Sequence, residues 1–270
     1  MDPSRADKGL PIGVFDSGVG GLSVVIAIKK VLPNERIIYF GDTARVPYGT
    51  KSAETVKKYA VQDAKFLLDQ RVKAIVIACN TASAIALEEV RKIAPVPVVG
   101  VVEPSVERAL EGNFKNIGII GTPRTIKSGA FEKPLKNFNK KVLSKACPLF
   151  VPLVEEGLFE GSITRKVAKM YLKSLKREKI EALILGCTHY PFLKKIIREV
   201  VGRKVVLIDT AEEVARKLKE KLTQMDLLAE EKPKQEDKFY ASDVSETFVE
   251  VAERLLGKKV VFKEIDIERY

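Results

Sequence analysis

The chain has 270 residues and is 46% hydrophobic, enough to bury a substantial core in one large domain or two smaller ones, and its apolar runs fall far short of the roughly 18 residues a membrane span needs. Its formal net charge is +11, but lysines and acids alternate, as in LKSLKREKIE, and no aromatic-laced basic patch stands out, so the excess reads as solvated surface rather than as a nucleic-acid site. Three cysteines are too few for a disulfide framework and fit a reducing, cytoplasmic setting, and the opening MDPSRADKG lacks the apolar stretch of a signal peptide and reads as a loose tail.

Taken in order, Ile12 to Phe15 reads as a strand, followed by Asp16-Ser17-Gly18-Val19-Gly20-Gly21 and a helix from Leu22 to Val31. A strand, a glycine-rich turn and a helix aim backbone N–H groups at an anion. The turn fits neither the dinucleotide fingerprint nor the phosphate loop, which needs a lysine after its last glycine. Ile37 to Phe40 is a second strand, ending in Gly41-Asp42-Thr43. Arg45-Val46-Pro47-Tyr48-Gly49 reads as a positioned loop, and Ser52 is a plausible N-cap for a helix reaching Gln70. Ala74 to Ala78 is a strand ending at Cys79, Thr81 to Ile93 is its helix, and Val96 to Val102 is a strand ended by Glu103-Pro104-Ser105.

The pattern then restarts. Ile117 to Ile120 is a strand followed by Gly121-Thr122-Pro123-Arg124-Thr125, and IGIIGTP echoes the opening IGVFDSG. A helix begins near Ser128 and runs to Asn137. Cys147 to Leu153 holds Pro148 and Pro152 and reads as a short or edge strand, with Glu155-Glu156-Gly157 as a loop. A helix covers Ile163 to Lys176, a strand Ala182 to Leu185, a helix Phe192 to Val200, and a strand Val205 to Ile208. A polar helix spans Glu212 to Leu228 and an exposed loop Ala229 to Asp237. Strand, helix and strand follow at Phe239 to Ser242, Glu246 to Leu256 and Lys259 to Ile265, a piece expected to return to the first domain. The alternation predicts parallel sheets flanked by helices.

Two stretches carry the chemistry. Lys73 to Thr81 reads KAIVIACNT and Glu181 to Pro191 reads EALILGCTHYP. In both, an apolar run ends in a small residue, a cysteine and polar residues, where open α/β sheets bind ligands. His189 is the single histidine of the chain. Two similar lobes facing each other would put one thiol on each side of a cleft. One thiolate removes a proton from a bound carbon, the opposite thiol delivers one to the other face, and the stereocentre inverts without a cofactor. A carboxylate, an imidazole or a helix N-terminus tunes a thiol for such work, and Asp16 and His189 are the available partners. A free cysteine elsewhere is commonly a small buried hydrophobe, and Cys147 is read so. With no C-x₂-C pair, the cysteines and His189 do not read as a zinc site, and no metal is expected.

The motifs FDSGVGGLSV, YFGDTARVPYG, ACNTASA, GVVEPS, GTPRTIKSG, FVPLVEEG and LGCTHYP, in this order, closely resemble the glutamate racemases of the aspartate/glutamate racemase superfamily, from about Ile12 to Thr210. The resemblance implies an α/β fold of two pseudo-symmetric domains, each a mainly parallel sheet flanked by helices, with the active site in the cleft between them. The expected division is 1–103 with 214–270, and 104–213. It also implies cofactor-independent interconversion of L- and D-glutamate for peptidoglycan synthesis, in a homodimer. Cys79 and Cys187 match the acid/base cysteines, assisted by Asp16 and His189. Asp16, Ser17, Tyr48, Gly49, Asn80, Thr81, Thr122, Thr125, Thr188 and His189 match substrate contacts, and Glu155, with Glu156 beside it, matches an acidic residue near the site. Phe131 stands where a tyrosine is expected, outside the catalytic set.

Overall fold

Apolar runs too short for buried helices become strands, and the polar clusters that end them collect along two facing sheet edges. The computed structural model describes residues 8–270. The expected N-terminal tail therefore lies outside the described residues, except for Lys8 and Gly9, and Lys8 pairs with Asp226 and Glu230 at 2.9 Å.

The first lobe opens with β1 (Ile12–Asp16), α1 (Leu22–Val31), β2 (Ile37–Gly41), α2 (Ala53–Asp69), β3 (Ala74–Ile77), α3 (Asn80–Ile93), β4 (Val98–Gly100) and α4 (Val102–Glu111). The second holds β5 (Asn116–Gly121), α5 (Pro123–Ser128), α6 (Glu132–Asn137), β6 (Lys141–Ala146), α7 (Phe150–Glu155), α8 (Ser162–Arg177), β7 (Ala182–Gly186), α9 (Lys194–Val201), β8 (Val206–Asp209) and α10 (Thr210–Gln224). The chain then adds β9 (Lys238–Ala241), α11 (Glu246–Leu256) and β10 (Phe262–Glu264).

The sheets run β10-β9-β2-β1-β3-β4 and β6-β5-β7-β8, with every pairing parallel. The order β2-β1-β3-β4 repeats as β6-β5-β7-β8, which is the symmetry read from the echoing strands. The C-terminal piece extends the first sheet beyond β2. Registers bring the strand ends side by side: Phe15 pairs with Ile77, two residues before Cys79, and Gly121 pairs with Gly186, one before Cys187.

The strands β1, β2, β3, β4 and β7 are buried on both faces, whereas the edge strands β6 and β10 are mostly half-buried or exposed. Ile12 and Val14 pack toward α1, α10 and α11, while Phe15 and Ile38 pack toward α2 and α3. The second sheet is covered by α7, α8 and α9 on one side and by α4 and α6 on the other. Two helices change lobe. α4 follows the last strand of the first sheet, yet Val102, Val106 and Ala109 pack into the core of the second. α10 follows the last strand of the second, yet Ala211, Val214 and Leu218 pack into the core of the first.

Four expectations are corrected by the fold. Glu103-Pro104-Ser105 does not merely end a strand but lies in the first turn of α4. Cys147 to Leu153 is not an edge strand: β6 holds that edge, and Phe150, Pro152 and Leu153 belong to α7. In both, the proline sits in a first turn, where no intrahelical N–H bond is lost. Glu155 is consequently the last residue of a helix rather than part of a loop. The helix expected from Ser128 to Asn137 begins later: α5 ends at Ser128, Gly129 takes the left-handed conformation (φ 71°), and α6 starts only at Glu132.

Candidate active site

Asp16 ends β1, fully buried, and the glycine-rich turn curls around it. Its Oδ2 accepts the N–H groups of Gly18 at 3.1 Å and Gly21 at 3.0 Å, so the anion held by the turn is the protein's own side chain. Its Oδ1 accepts the Thr188 hydroxyl from the other lobe at 3.3 Å. Burial raises the Asp16 carboxyl to about 6, opposed by the charge of His189 and by the two N–H groups. The glycines are required by close approach: a Cβ on Gly21 would lie 2.3 Å from the Cβ of Asp16, and one on Gly20 would lie 2.5 Å from both His189 Nδ1 and Thr188 Oγ1.

Cys79 caps the N-terminus of α3, with its Sγ 3.8 Å from the Ser17 hydroxyl. Burial pushes its thiol up to about 12, and the charge of Asp16 adds to this. On the opposite side, Cys187 follows β7 and its Sγ lies 3.7 Å from His189 Nδ1. His189 Nε2 lies 3.3 Å from Glu155 Oε1 at the end of α7. Burial alone would lower the imidazole, but its hydrogen bonds to Cys187 and Glu155 outweigh that and raise it to about 10.

Hydroxyls line the seam between the lobes. Thr81 lies 3.0 Å from both Thr122 and Thr125, which are 3.0 Å from each other. Asn80 donates to Thr210 at 3.3 Å, while its buried Oδ1 has no hydrogen-bond partner among the described residues. Cys79 and Cys187 line one cavity of about 20 Å³ with Ser17, Tyr48, Gly49, Asn80, Thr81, Thr122, Thr188 and His189. That is room for about one water molecule.

A family model described as Asp/Glu/Hydantoin racemase matches residues 12–218. The chain belongs to the Asp/Glu/hydantoin racemase family. It is an amino-acid racemase, an isomerase. It is 48% identical to the glutamate racemase of Geobacter metallireducens over 252 residues, covering 92% of this chain and 93% of that relative. It is 54% identical to the glutamate racemase of Aquifex pyrophilus over 210 residues, covering 77% and 82%. Its fold matches the crystal structure of glutamate racemase from Francisella tularensis in complex with D-glutamate, at a TM-score of 0.91 and 45% identity over 98% of this chain and 100% of that one.

In this racemase the expected residues fall into two shells. Cys79, Cys187, His189, Ser17, Tyr48, Gly49, Asn80, Thr81, Thr122 and Thr188 reach the cavity. Asp16, Thr125 and Glu155 stand one residue behind it, against Thr188, Thr122 and His189. Glu155, and not Glu156, carries the contact to His189. Val46, Pro47 and Val151 also line the cavity and were not picked out as site residues. Val46 and Pro47 directly precede Tyr48, a local signal for them, whereas Val151 lies in α7 where the sequence suggests a strand. Cys147 is buried in the second lobe's core with Phe150 and Tyr190, and burial pushes its thiol up to about 12. Among the described residues no helix is long and apolar enough to cross a membrane, and no group of three or more His, Cys, Asp or Glu side chains is placed to hold a metal ion.

Proposed function

We propose that this racemase interconverts L- and D-glutamate by a two-base mechanism, with Cys79 and Cys187 on opposite faces of the α-carbon. The observation that carries this reading is that both sulfurs line one cavity between the lobes. The thiolate on one face takes the α-proton, leaving a carbanion-like centre, and the thiol on the other face gives its proton to that centre. The carbon is inverted, and the two cysteines have exchanged protonation states. His189 assists Cys187, and Asp16, with Ser17, assists Cys79. Glu155 supports the imidazole from behind.

A glutamate brings two carboxylates and one ammonium, and buried charge needs fixed donors and acceptors. Thr81, Thr122 and Thr188 supply hydroxyls, with Thr125 holding those of Thr81 and Thr122 from behind, Asn80 an acceptor and amide, and the backbone around Ser17, Tyr48 and Gly49 supplies N–H groups. A rigid polar cage of this kind stabilises a carbanion-like transition state better than water does. A cavity for one water cannot hold the substrate, so the lobes must part to admit it and close to react. The moving bodies follow the division into 1–103 with 214–270 and 104–213, except that Val102 goes with the second and Ala211 with the first, where their side chains pack. The reaction needs no added cofactor, takes place in the cytoplasm of a homodimeric enzyme, and supplies D-glutamate for peptidoglycan.

Incubation of the purified protein with L-glutamate in D₂O, without pyridoxal phosphate or metal, tests this. Optical rotation should vanish while deuterium enters the α-carbon. Absence of exchange, or exchange only after a cofactor is added, would overturn the mechanism.

A further inference from the structure

Behind one wall of the cavity lies a second cluster of ionisable groups that the two-base mechanism does not use. Asp42 and Asp63 are fully buried, Tyr48 is 1% exposed, and the Arg45 side chain among them is 9% exposed. Asp63 sits on the core-facing stripe of α2 with Val56, Ala60 and Leu67. Arg45 Nε donates to Asp42 Oδ2 at 2.7 Å, and Nη2 donates to Asp63 Oδ1 at 3.1 Å. Its remaining nitrogen, Nη1, reaches Gln62 at 2.7 Å and Glu268 at 3.1 Å. The Tyr48 hydroxyl makes a short contact with Asp42 Oδ2 and lies 2.9 Å from Asp63 Oδ2. The Ser242 hydroxyl donates to Asp42 Oδ1 at 2.9 Å.

A tyrosine hydroxyl has one proton to give, yet two carboxyl groups meet it. One guanidinium also balances only one buried negative charge. Both counts close if Asp63 holds a proton. Its Oδ2–H then donates to the Tyr48 oxygen, Tyr48 donates to Asp42, and Arg45 spans Asp42 and the carbonyl oxygen of Asp63. Burial and the neighbouring Asp42 charge act in the same direction, pushing the Asp63 carboxyl well above the usual range against the pull of Arg45. The Tyr48 hydroxyl is thus fully engaged by Asp42 and Asp63, while the residue still lines the cavity. The next residue, Gly49, packs so closely that an added Cβ would lie 2.6 Å from the Cβ of Thr122 across the seam.

We propose that Asp63 and Arg45 are positioning residues, which lock the Tyr48 hydroxyl into this cluster and so fix the Pro47-Tyr48-Gly49 wall that closes on the substrate opposite Thr122. The kinetic half of the test rests on the glutamate racemase reading; the structural half does not.

Asp63→Asn keeps a neutral group of the same shape, whose amide donates to Tyr48 and whose carbonyl accepts from Arg45. Asp63→Leu removes both bonds. Asp63→Leu should raise KM for glutamate about tenfold or more, with a smaller fall in kcat, while Asp63→Asn stays within about twofold of the parent in both. In substrate-free protein, amide hydrogen exchange should quicken in Asp63→Leu at Gly49 and at Lys51, whose N–H bonds to Tyr48 O at 3.1 Å, and should be unchanged in Asp63→Asn. Parental KM and exchange in Asp63→Leu, or an Asp63→Asn variant as impaired as the leucine one, would overturn the proposal. If Asp63→Leu does not fold, Asp63→Asn alone decides: parental behaviour supports the proposal and impairment refutes it. If the parent fails to turn over glutamate, the racemase reading fails while amide exchange still decides the positioning role.

Discussion

Around Cys187 the second lobe supplies an imidazole with a carboxylate behind it; around Cys79 the first lobe supplies a hydroxyl, with Asp16 nearby. The strands leading to the two sulfurs are matched in order, register and burial, so the fold repeats the position of each thiol. It does not repeat the electrostatics. A cation can form beside Cys187, whereas the nearest charge to Cys79 is an anion, which disfavours its thiolate. In the proposed two-base reaction the two directions start from different bases and therefore depend on different neighbours.

The largest effect that probes this comparison is loss of either sulfur. Cys79→Ser and Cys187→Ser should each lower racemisation by about a thousandfold or more while the fold is retained. Each variant keeps a base on one face only. Deuterium wash-in, followed by NMR on each enantiomer separately, should therefore survive for opposite enantiomers in the two variants. Near-parental racemisation in either would remove that cysteine from the mechanism. Gly20→Ala comes next, because its Cβ would collide with His189 and Thr188 and hold the lobes apart. A fall of about a hundredfold in kcat/KM is expected from that misplacement, with the thermal midpoint nearly unchanged.

A smaller effect sharpens the Cys187 side alone. Glu155→Gln should slow the direction that begins at Cys187 about tenfold and leave the other nearly untouched; equal slowing of both would show that Glu155 serves the whole cavity. Its pH signature has a definite sign. Because His189 is raised in the fold from 6.5 to about 10, its protonated form stabilises the fold fully below about pH 6.5, and that contribution is lost as pH rises toward 10. Thermal midpoints measured across this window should fall with pH in the parent and fall less in Glu155→Gln. The smallest effect is expected for Cys147→Ser, within about twofold of parental activity, since that side chain lies in the core away from the cavity.

Much of this was legible in the sequence, because apolar runs ending in polar clusters are a local signal. The strands leading to Asp16, Cys79, Thr122 and Cys187 could be read from a few residues each, and so could the echo between halves. Ser52 was readable as a cap because its side chain accepts from Thr55 N–H three residues on. What failed was the treatment of proline: Pro104 and Pro152 look like helix breakers in a string of letters, but both fall in first turns. That error hid Val151 and placed Glu155 in a loop. The Asp42, Arg45 and Asp63 cluster was hidden for another reason. Its members are linked only by tertiary folding, and the one local hint was a carboxylate, Asp63, on an otherwise apolar face of α2. The exchange of α4 and α10 between lobes is likewise a packing result that helical periodicity does not reveal.

The attachment of β9 to β2 has a consequence for biosynthesis. Ile37 at the start of β2 bonds to Asp237, 200 residues further along the chain. As the polypeptide leaves the ribosome, the four strands of the second sheet have all emerged before β9 exists, so that lobe can mature first. Meanwhile β2 waits with one edge bare, a template for pairing with the wrong partner. Translation that stops short of Lys238 therefore yields a chain with an exposed strand edge, a natural target for chaperones and for quality-control proteolysis.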